Sequence, residues 1–144
     1  MNIVAGIDDS ERTKAVLAAA IEEAKMRTAN LHVVHVVQPP MIWTDAVGIG
    51  ATFIPADTEI IEHIRAAVWE LATPTLADSG LDWIKVDRMG FPPDELVEYA
   101  KEVGAELVAI GSRGRGDLAA LILGSTSHRV ANTAPCDVLI VKNT

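Results

Sequence analysis

Short apolar segments alternate with segments of helical periodicity along most of the chain, and this alternation limits the folds that the sequence can adopt. Five short segments rich in β-branched residues predict strands at 2–8, 31–37, 83–89, 106–111 and 138–141. Apolar residues at helical spacing predict helices over 10–24, from 57 or 58 to about 71, from 92 to 103 and over 127–133. Strands that alternate with helices predict a parallel sheet covered on both faces, with right-handed crossovers.

Residues with particular backbone preferences mark the ends of the predicted helices. Asp9 or Ser10 is expected to cap the first helix, and Asp57 or Thr58 the second. Pro74 predicts a kink or an end in the second helix, because proline lacks the N–H that a helix needs. The apolar stripe predicted for that helix consists of Ile60, Ile61, Ile64, Val68 and Leu71.

Three glycines and a serine follow the fourth predicted strand in the pattern G-x2-G-x9-G-S. They are Gly111, Gly114, Gly124 and Ser125, and the serine begins a helical segment. Glycines after a strand let the backbone approach a phosphate closely, and a helix N-terminus favours an anion. The pattern predicts a backbone cradle for a di- or triphosphate; the alternative is a tight turn that needs glycine only for its backbone conformation. It is neither a Walker A loop nor a dinucleotide fingerprint.

The charge distribution favours a small anionic ligand over a polyanionic partner. The formal net charge of −8 argues against binding of nucleic acid or of an anionic membrane, because both require a basic face. Close to the glycine pattern, however, Arg113, Arg115 and Arg129 outnumber Asp117. The candidate phosphate site is therefore locally positive on an acidic protein.

The glycine pattern, the closing strand DVLIVK (137–142) and the N-terminal segment NIVAGIDDS (2–10) resemble the universal stress protein family, in its ATP-binding branch. The resemblance implies one domain over 1–144, a three-layer α/β/α sandwich of the Rossmann-like, adenine nucleotide alpha hydrolase-like type. Its five-stranded parallel sheet would have the order 3-2-1-4-5. Strands one and four would then be neighbours, and ligands of such sheets bind where the strand order reverses. Asp8 and Gly111 would meet at that crevice.

The resemblance implies a base-binding side made of Gly6, Asp8 and Val36. Asp8 would accept a hydrogen bond from the adenine amino group, which suits a carboxylate; the alternative is a helix cap shared with Asp9. The main chain of Val36 would read the edge of the adenine, and Gly6 takes a position near the base where the family often has a small residue or proline. The long predicted loop at 38–56 could cover the adenine.

On the phosphate side, the candidates are Arg113, Thr126 and Ser127. The guanidinium of Arg113 could pair with a phosphate or cover the ribose, or be a solvated loop charge. The N–H groups of Thr126 and Ser127, together with the Ser127 hydroxyl, would complete the phosphate site; the alternative is ordinary N-capping.

Other kinds of chemistry find little support in the sequence. The four histidines lack a zinc-like spacing, and His35 is interpreted as a packed strand residue, not as a base. The single cysteine, Cys136, excludes an intrachain disulfide. We expect no resident metal site, although Mg²⁺ could enter together with the phosphates.

The sequence therefore predicts a universal stress protein that binds ATP, or ADP or AMP, and acts as a sensor or regulator of the stress response. The resemblance also suggests a homodimer formed through the strand at 137–142. The alternatives are a slow ATPase, for which Arg113 and Arg115 could stabilise charge but no base is identified, and an interaction module of the same fold without a ligand. The preference among ATP, AMP and cyclic AMP stays open.

The expected compartment is the cytoplasm. No apolar run approaches the ~18 residues that a membrane span requires, and no signal peptide precedes the first predicted strand. We accordingly expect no membrane partner.

Overall fold

A parallel sheet lies at the centre of the protein. Its strands are β1 (Asn2–Ile7), β2 (Asn30–Val37), β3 (Trp83–Met89), β4 (Leu107–Gly111) and β5 (Asp137–Val141). In the computed structural model, which describes residues 1–39, 57–112 and 123–142, the strand order is β3-β2-β1-β4-β5 and every neighbouring pair is parallel. The predicted order is confirmed, and each strand lies within one residue of its predicted position.

Helices of the described ranges cover both faces of this sheet. They are α1 (Arg12–Arg27), α2 (Thr58–Ala77), α3 (Pro92–Glu102) and α4 (Ser125–Thr133). Residues of α1 and α2 share one apolar core with the sheet, and residues of α3 and α4 share the other. The predicted three-layer α/β/α arrangement is therefore confirmed.

The central strand β1 contributes to both cores, which explains its apolar sequence. Ile3 and Ala5 face α1 and α2, whereas Val4 faces α3 and α4, and all three are fully buried. Because successive side chains of a strand point to opposite faces, a strand covered on both sides must be apolar at nearly every position.

The turn between β1 and α1 is longer than the sequence pattern predicts. α1 begins at Arg12 with Glu11 at the N-cap position, and Glu11 makes no capping hydrogen bond with its side chain in the described helix. The prediction that Asp9 or Ser10 caps this helix is wrong. Ser10 belongs instead to the preceding turn, where its carbonyl accepts a hydrogen bond from the Thr13 amide at 3.1 Å.

The ends of α2 follow the prediction at one end only. Asp57 caps its N-terminus, and the carboxylate accepts a hydrogen bond from the Glu59 amide at 3.1 Å, as predicted. Pro74 does not end the helix, which continues to Ala77. The proline lies within the last turn, so few helical hydrogen bonds remain beyond it for the ring to interrupt.

Only part of the apolar stripe predicted for α2 faces the core. Ile61 and Val68 are buried and Leu71 is half-buried, whereas Ile60 and Ile64 are 55% and 38% exposed. The core-facing side is completed by Trp69, Ala72 and Leu76. Consecutive residues lie about 100° apart around a helix, so a stripe that contains both Ile60 and Ile61 is wider than the face that the sheet covers.

Candidate functional site

A pocket of about 240 Å³ opens at the carboxyl ends of β1, β2 and β4. β1 lies beside β2 on one side and beside β4 on the other, and the chain reverses its strand order at this point. Ligands of open parallel sheets bind at such a position. The first turns of α1, α3 and α4 complete the wall of the pocket.

The pocket brings together residues that are about a hundred positions apart in the sequence. The predicted site residues that line it are Gly6, Asp8, Val36, Gly111 and Thr126. Gly124, Ser125 and Ser127 lie at the start of α4 and do not line the pocket in the part of the chain that the structure describes. Arg113 and Gly114 lie outside the described residues.

Gly6 lies on the floor of the pocket, where an added side chain would crowd its neighbours. A Cβ atom built at this position would lie 3.0 Å from Cδ1 of Leu96 and 3.1 Å from Cγ2 of Ile110. Both neighbours also line the pocket. The floor is therefore an apolar surface formed by a bare stretch of backbone and two aliphatic side chains.

Asp8 stands directly after β1 and is tied into a tight turn. Its Oδ1 atom accepts a hydrogen bond from the Ser10 amide at 2.9 Å. The Thr13 hydroxyl accepts from the Asp8 amide at 3.1 Å and donates to the Asp8 carbonyl at 2.6 Å. The carboxylate thus orders the turn that leads into α1. It is not the N-cap of that helix, which was the alternative to the predicted contact with adenine.

The main chain of Val36 points into the crevice beside the end of β1. The carbonyl of Val37 accepts a hydrogen bond from the Gly90 amide at 2.9 Å, on the side of β3. Successive peptide groups of a strand point to opposite sides, so the N–H and C=O of Val36 point towards β1. The pairing of β1 with β2 ends one residue earlier, at Ile7 and His35. The Val36 amide closes that last pair on the Ile7 carbonyl, so the Val36 carbonyl is the group that offers an acceptor past the end of the ladder.

Hydrogen bonds join the end of β4 to the start of α4. The Gly124 amide donates to the Ser112 carbonyl at 2.8 Å. The buried Ser127 hydroxyl lies 2.8 Å from the Ser112 carbonyl and 3.0 Å from the Gly124 carbonyl, so its proton is engaged within the protein. The amides of the first helical turn have no acceptor within the helix, because the carbonyls four residues earlier lie outside it.

Comparison with known proteins identifies the family. The sequence profile described as "Universal stress protein family" matches residues 1–142. The universal stress protein YxiE of Bacillus subtilis (strain 168) is 32% identical over 97% of this chain and 97% of its own.

The chain belongs to the universal stress protein family.

Solved structures of universal stress proteins share its fold. A universal stress protein from Archaeoglobus fulgidus superposes with a TM-score of 0.76 at 28% identity, over 99% of this chain and 98% of that one. A structure of the universal stress protein from the same organism in complex with dAMP superposes with a TM-score of 0.73 at 26% identity, again over 99% and 98% of the two chains.

Sequence reasoning missed Thr13 in this universal stress protein and gave Ser10 only a capping role. Thr13 is only 1% exposed, and its hydroxyl bonds to both main-chain groups of Asp8. The Ser10 hydroxyl is buried without a hydrogen-bond partner among the described residues, on the wall of the pocket. A threonine in phase with Val16, Leu17 and Ala20 signals burial, because its position continues their helical spacing. No pattern in the sequence indicates that the Thr13 hydroxyl bonds to Asp8.

The buried histidines of this family member do not face the pocket. His35 is 4% exposed and points to the face opposite from Val34 and Val36, which line the pocket. Burial lowers the pKa of His35, and the neighbouring Asp87 carboxylate opposes this shift. Burial also lowers the pKa of His32, whose Nδ1 lies 2.8 Å from the Tyr99 hydroxyl.

The described ranges contain neither a cluster of metal ligands nor a membrane-spanning helix. No group of three or more His, Cys, Asp or Glu side chains in these ranges is arranged to hold a metal ion. None of the helices there combines the length and the apolar character that crossing a bilayer requires.

Proposed function

We propose that this universal stress protein binds an adenine nucleotide, ATP in the first place, in the pocket at the ends of β1, β2 and β4. The observation that carries the proposal is the meeting of Asp8 with Gly111 and Thr126 in one pocket. An acceptor for the base and the start of a helix for the phosphates thus lie on the same cavity. Ligands of open parallel sheets bind where the strand order reverses, which is the position of this pocket.

The adenine would lie on the side of β1 and β2. The Asp8 carboxylate would accept a hydrogen bond from the exocyclic amino group, and the main chain of Val36 would pair with the edge of the ring. The apolar floor formed by Gly6, Leu96 and Ile110 suits the face of a planar base. A side chain at Gly6 would push against Leu96 and Ile110, which line the same pocket.

The phosphates would lie at the junction of β4 and α4. Gly111 lets the backbone come close, and the amides of Ser125, Thr126 and Ser127 provide donors at the positive end of the α4 dipole. Gly124 at the N-cap position allows the same close approach. From the sequence pattern we add Gly114 and Arg113 to this side.

The family comparison supports the ligand class. The universal stress protein of Archaeoglobus fulgidus in complex with dAMP shares the fold over nearly the full length of both chains. We extend this from an adenine nucleotide in general to ATP because the glycine pattern continues past Gly111 to Gly124 and Ser125. That length suits more than one phosphate, and Mg²⁺ would accompany them.

We assign binding, not turnover, as the function. Attack on a phosphoryl group needs a positioned water molecule and a group that orients it. His35 lies on the opposite face of the sheet, and the described residues that line the pocket include no histidine. We infer a cytoplasmic sensor or regulator of the stress response whose nucleotide state is read by a partner.

We also propose a homodimer formed through β5. This strand is at the edge of the sheet, and its residues Val138 to Val141 are half-buried. The outer edge of such a strand presents unpaired backbone groups, which a second copy of the chain would satisfy.

The first experiment identifies the small molecules released when freshly purified protein is denatured, by mass spectrometry. Titration calorimetry with ATP, ADP, AMP and cyclic AMP, with and without Mg²⁺, then ranks the ligands. The control is the variant Gly114→Ala with Gly124→Ala, which places methyl groups where phosphates would approach. Gly124 has φ −60°, so alanine fits its backbone, and the single variant Gly124→Ala tests this position without strain. A wild-type protein that carries no nucleotide and ignores all four would overturn the proposal.

A further inference from the structure

The Thr13 hydroxyl holds both main-chain groups of Asp8 at once. It donates its proton to the Asp8 carbonyl at 2.6 Å and accepts from the Asp8 amide at 3.1 Å. The hydroxyl lies 3.4 Å from Oδ1 of the same residue. Thr13 is in the first turn of α1 and is 1% exposed, so water does not compete for these hydrogen bonds.

The Asp8 carboxylate is held by Ser10, two residues further along the chain. The Ser10 amide donates to Oδ1 of Asp8 at 2.9 Å, and a hydrogen bond to a charged acceptor is stronger than one between neutral groups. The contacts that described residues make with this carboxylate, from Ser10 and Thr13, both involve Oδ1. The backbone of Asp8 and one of its carboxylate oxygens are therefore both set before any ligand arrives.

A fixed carboxylate can distinguish between bases. A carboxylate accepts a hydrogen bond from the amino group of adenine, whereas the keto oxygen of hypoxanthine at the same ring position offers no proton. A polar group that a bound base covers and leaves without a partner costs far more than a lost contact does, so selectivity depends on the carboxylate staying in place. A carboxylate that is free to rotate would move to solvent and lose this discrimination.

We propose that Thr13 is a positioning residue that gives the pocket its preference for adenine over hypoxanthine nucleotides. The proposal rests on the proposed function, since it concerns the base-binding side of the same site. Thr13 acts through Asp8 and need not touch the ligand.

The test compares the affinities for ATP and for inosine triphosphate, by titration calorimetry, in the wild type, Thr13→Val and Thr13→Ser. Valine keeps the shape of threonine without its hydroxyl, and serine keeps the hydroxyl. We expect Thr13→Val to lower the ATP-to-inosine-triphosphate affinity ratio by about tenfold, mainly through ATP, and Thr13→Ser to restore it. In an Asp8→Asn background, Thr13→Val should leave the ratio unchanged, because the two residues act as a unit.

A matched control is available on α2. The Thr73 hydroxyl donates to the Trp69 carbonyl at 2.6 Å, on a helix that does not line the pocket. Thr73→Val makes the same substitution and removes a hydroxyl-to-carbonyl hydrogen bond at an exposed position, and it should leave the ratio unchanged.

The outcomes separate this inference from the proposed function. A Thr13→Val protein that loses thermal stability, or loses affinity for both nucleotides equally, while the ratio stays constant would make Thr13 a purely structural residue and overturn the inference. If the valine variant does not fold, the same ratio measured for Thr13→Ala decides. A wild type that binds neither nucleotide would overturn the proposed function, and this inference with it.

Discussion

Nδ1 of His35 lies 3.6 Å from Oδ1 of Asp87, and the same carboxylate oxygen accepts a hydrogen bond from Nε1 of Trp69 at 2.8 Å. The two residues face each other across β2 and β3, at paired positions. His35 is buried, and the Nδ1 atom has no hydrogen-bond partner in the described ranges. A proton added to this ring would thus be drawn to Asp87 but would also bring a charge into a desolvated position.

This geometry predicts a loss of stability in mild acid. Burial lowers the pKa of His35 from its ordinary value of 6.5; Asp87 and Asp8 raise it, and Arg65 lowers it further. The unfolded chain therefore binds more protons than the folded one below about pH 6.5, and the free energy of unfolding falls as the pH decreases through that range. Urea unfolding at several pH values between 5 and 8 measures this slope.

Replacing His35 tests this assignment. His35→Asn should reduce the slope of the free energy of unfolding against pH, since the amide does not titrate. His32 adds a contribution of the same sign, because burial lowers its pKa also. Equal slopes in the wild type and in His35→Asn would contradict the assignment.

Two serines of α4 should separate stability from ligand binding. Ser127→Ala removes a buried hydroxyl that bonds to the Ser112 carbonyl, which we expect to lower the free energy of unfolding by about 1–3 kcal/mol. Ser125 is exposed at the start of the same helix, so Ser125→Ala should change stability by less than about 0.5 kcal/mol yet weaken ATP binding. Chemical unfolding and calorimetry give the two quantities. A loss of stability in Ser125→Ala together with a loss of ATP binding in Ser127→Ala would contradict this assignment.

The close packing around Gly6 leads to another prediction. Gly6→Val would push against Leu96 and Ile110, which should cost about 1–3 kcal/mol of stability and weaken ATP binding by about tenfold or more. In the milder pair Gly6→Ala and Leu96→Ala, the double variant should be less destabilised than the sum of the single variants, because each change relieves the other. Additive effects, with unchanged affinity, would show that Gly6 does not form the floor of a ligand site.

The proposed dimer can be tested with two adjacent prolines in β5. The Val141 carbonyl accepts a hydrogen bond from the Ser112 amide, so the peptide groups of Val141 and Leu139 point to β4 and those of Val138 point outwards. Val138→Pro removes an outward N–H and should give a folded monomer. Leu139→Pro removes a hydrogen bond within the sheet and should unfold the protein. Light scattering and circular dichroism distinguish the two. A folded dimer of Val138→Pro would exclude this edge as the interface.

The alternation of apolar segments with helical ones was sufficient to predict the sheet, because strands covered on both faces must be apolar. The position of Asp8 beside Gly111 followed from the strand order, which the family resemblance implied and the apolar pattern alone did not. Side-chain contacts did not follow. The hydrogen bonds of Thr13 depend on the path of the turn after β1, and the sequence pattern placed the start of α1 too early.

Helical periodicity likewise fixed the existence of α2 but not its orientation. Ile60 and Ile64 satisfy the spacing of an apolar stripe, yet they are exposed, because the sheet covers a narrower face that continues to Leu76. Which side of a helix is covered depends on the neighbouring elements, and no local pattern records it. Arg113 and Gly114 remain sequence-based members of the site.

The hydrogen bond between the Gly124 amide and the Ser112 carbonyl joins the two points where the chain leaves β4 and enters α4. The buried Ser127 hydroxyl lies 2.8 Å from the same carbonyl, so two groups of α4 meet one group at the end of β4. This junction therefore holds the β4 and α4 sides of the proposed site together before a ligand binds.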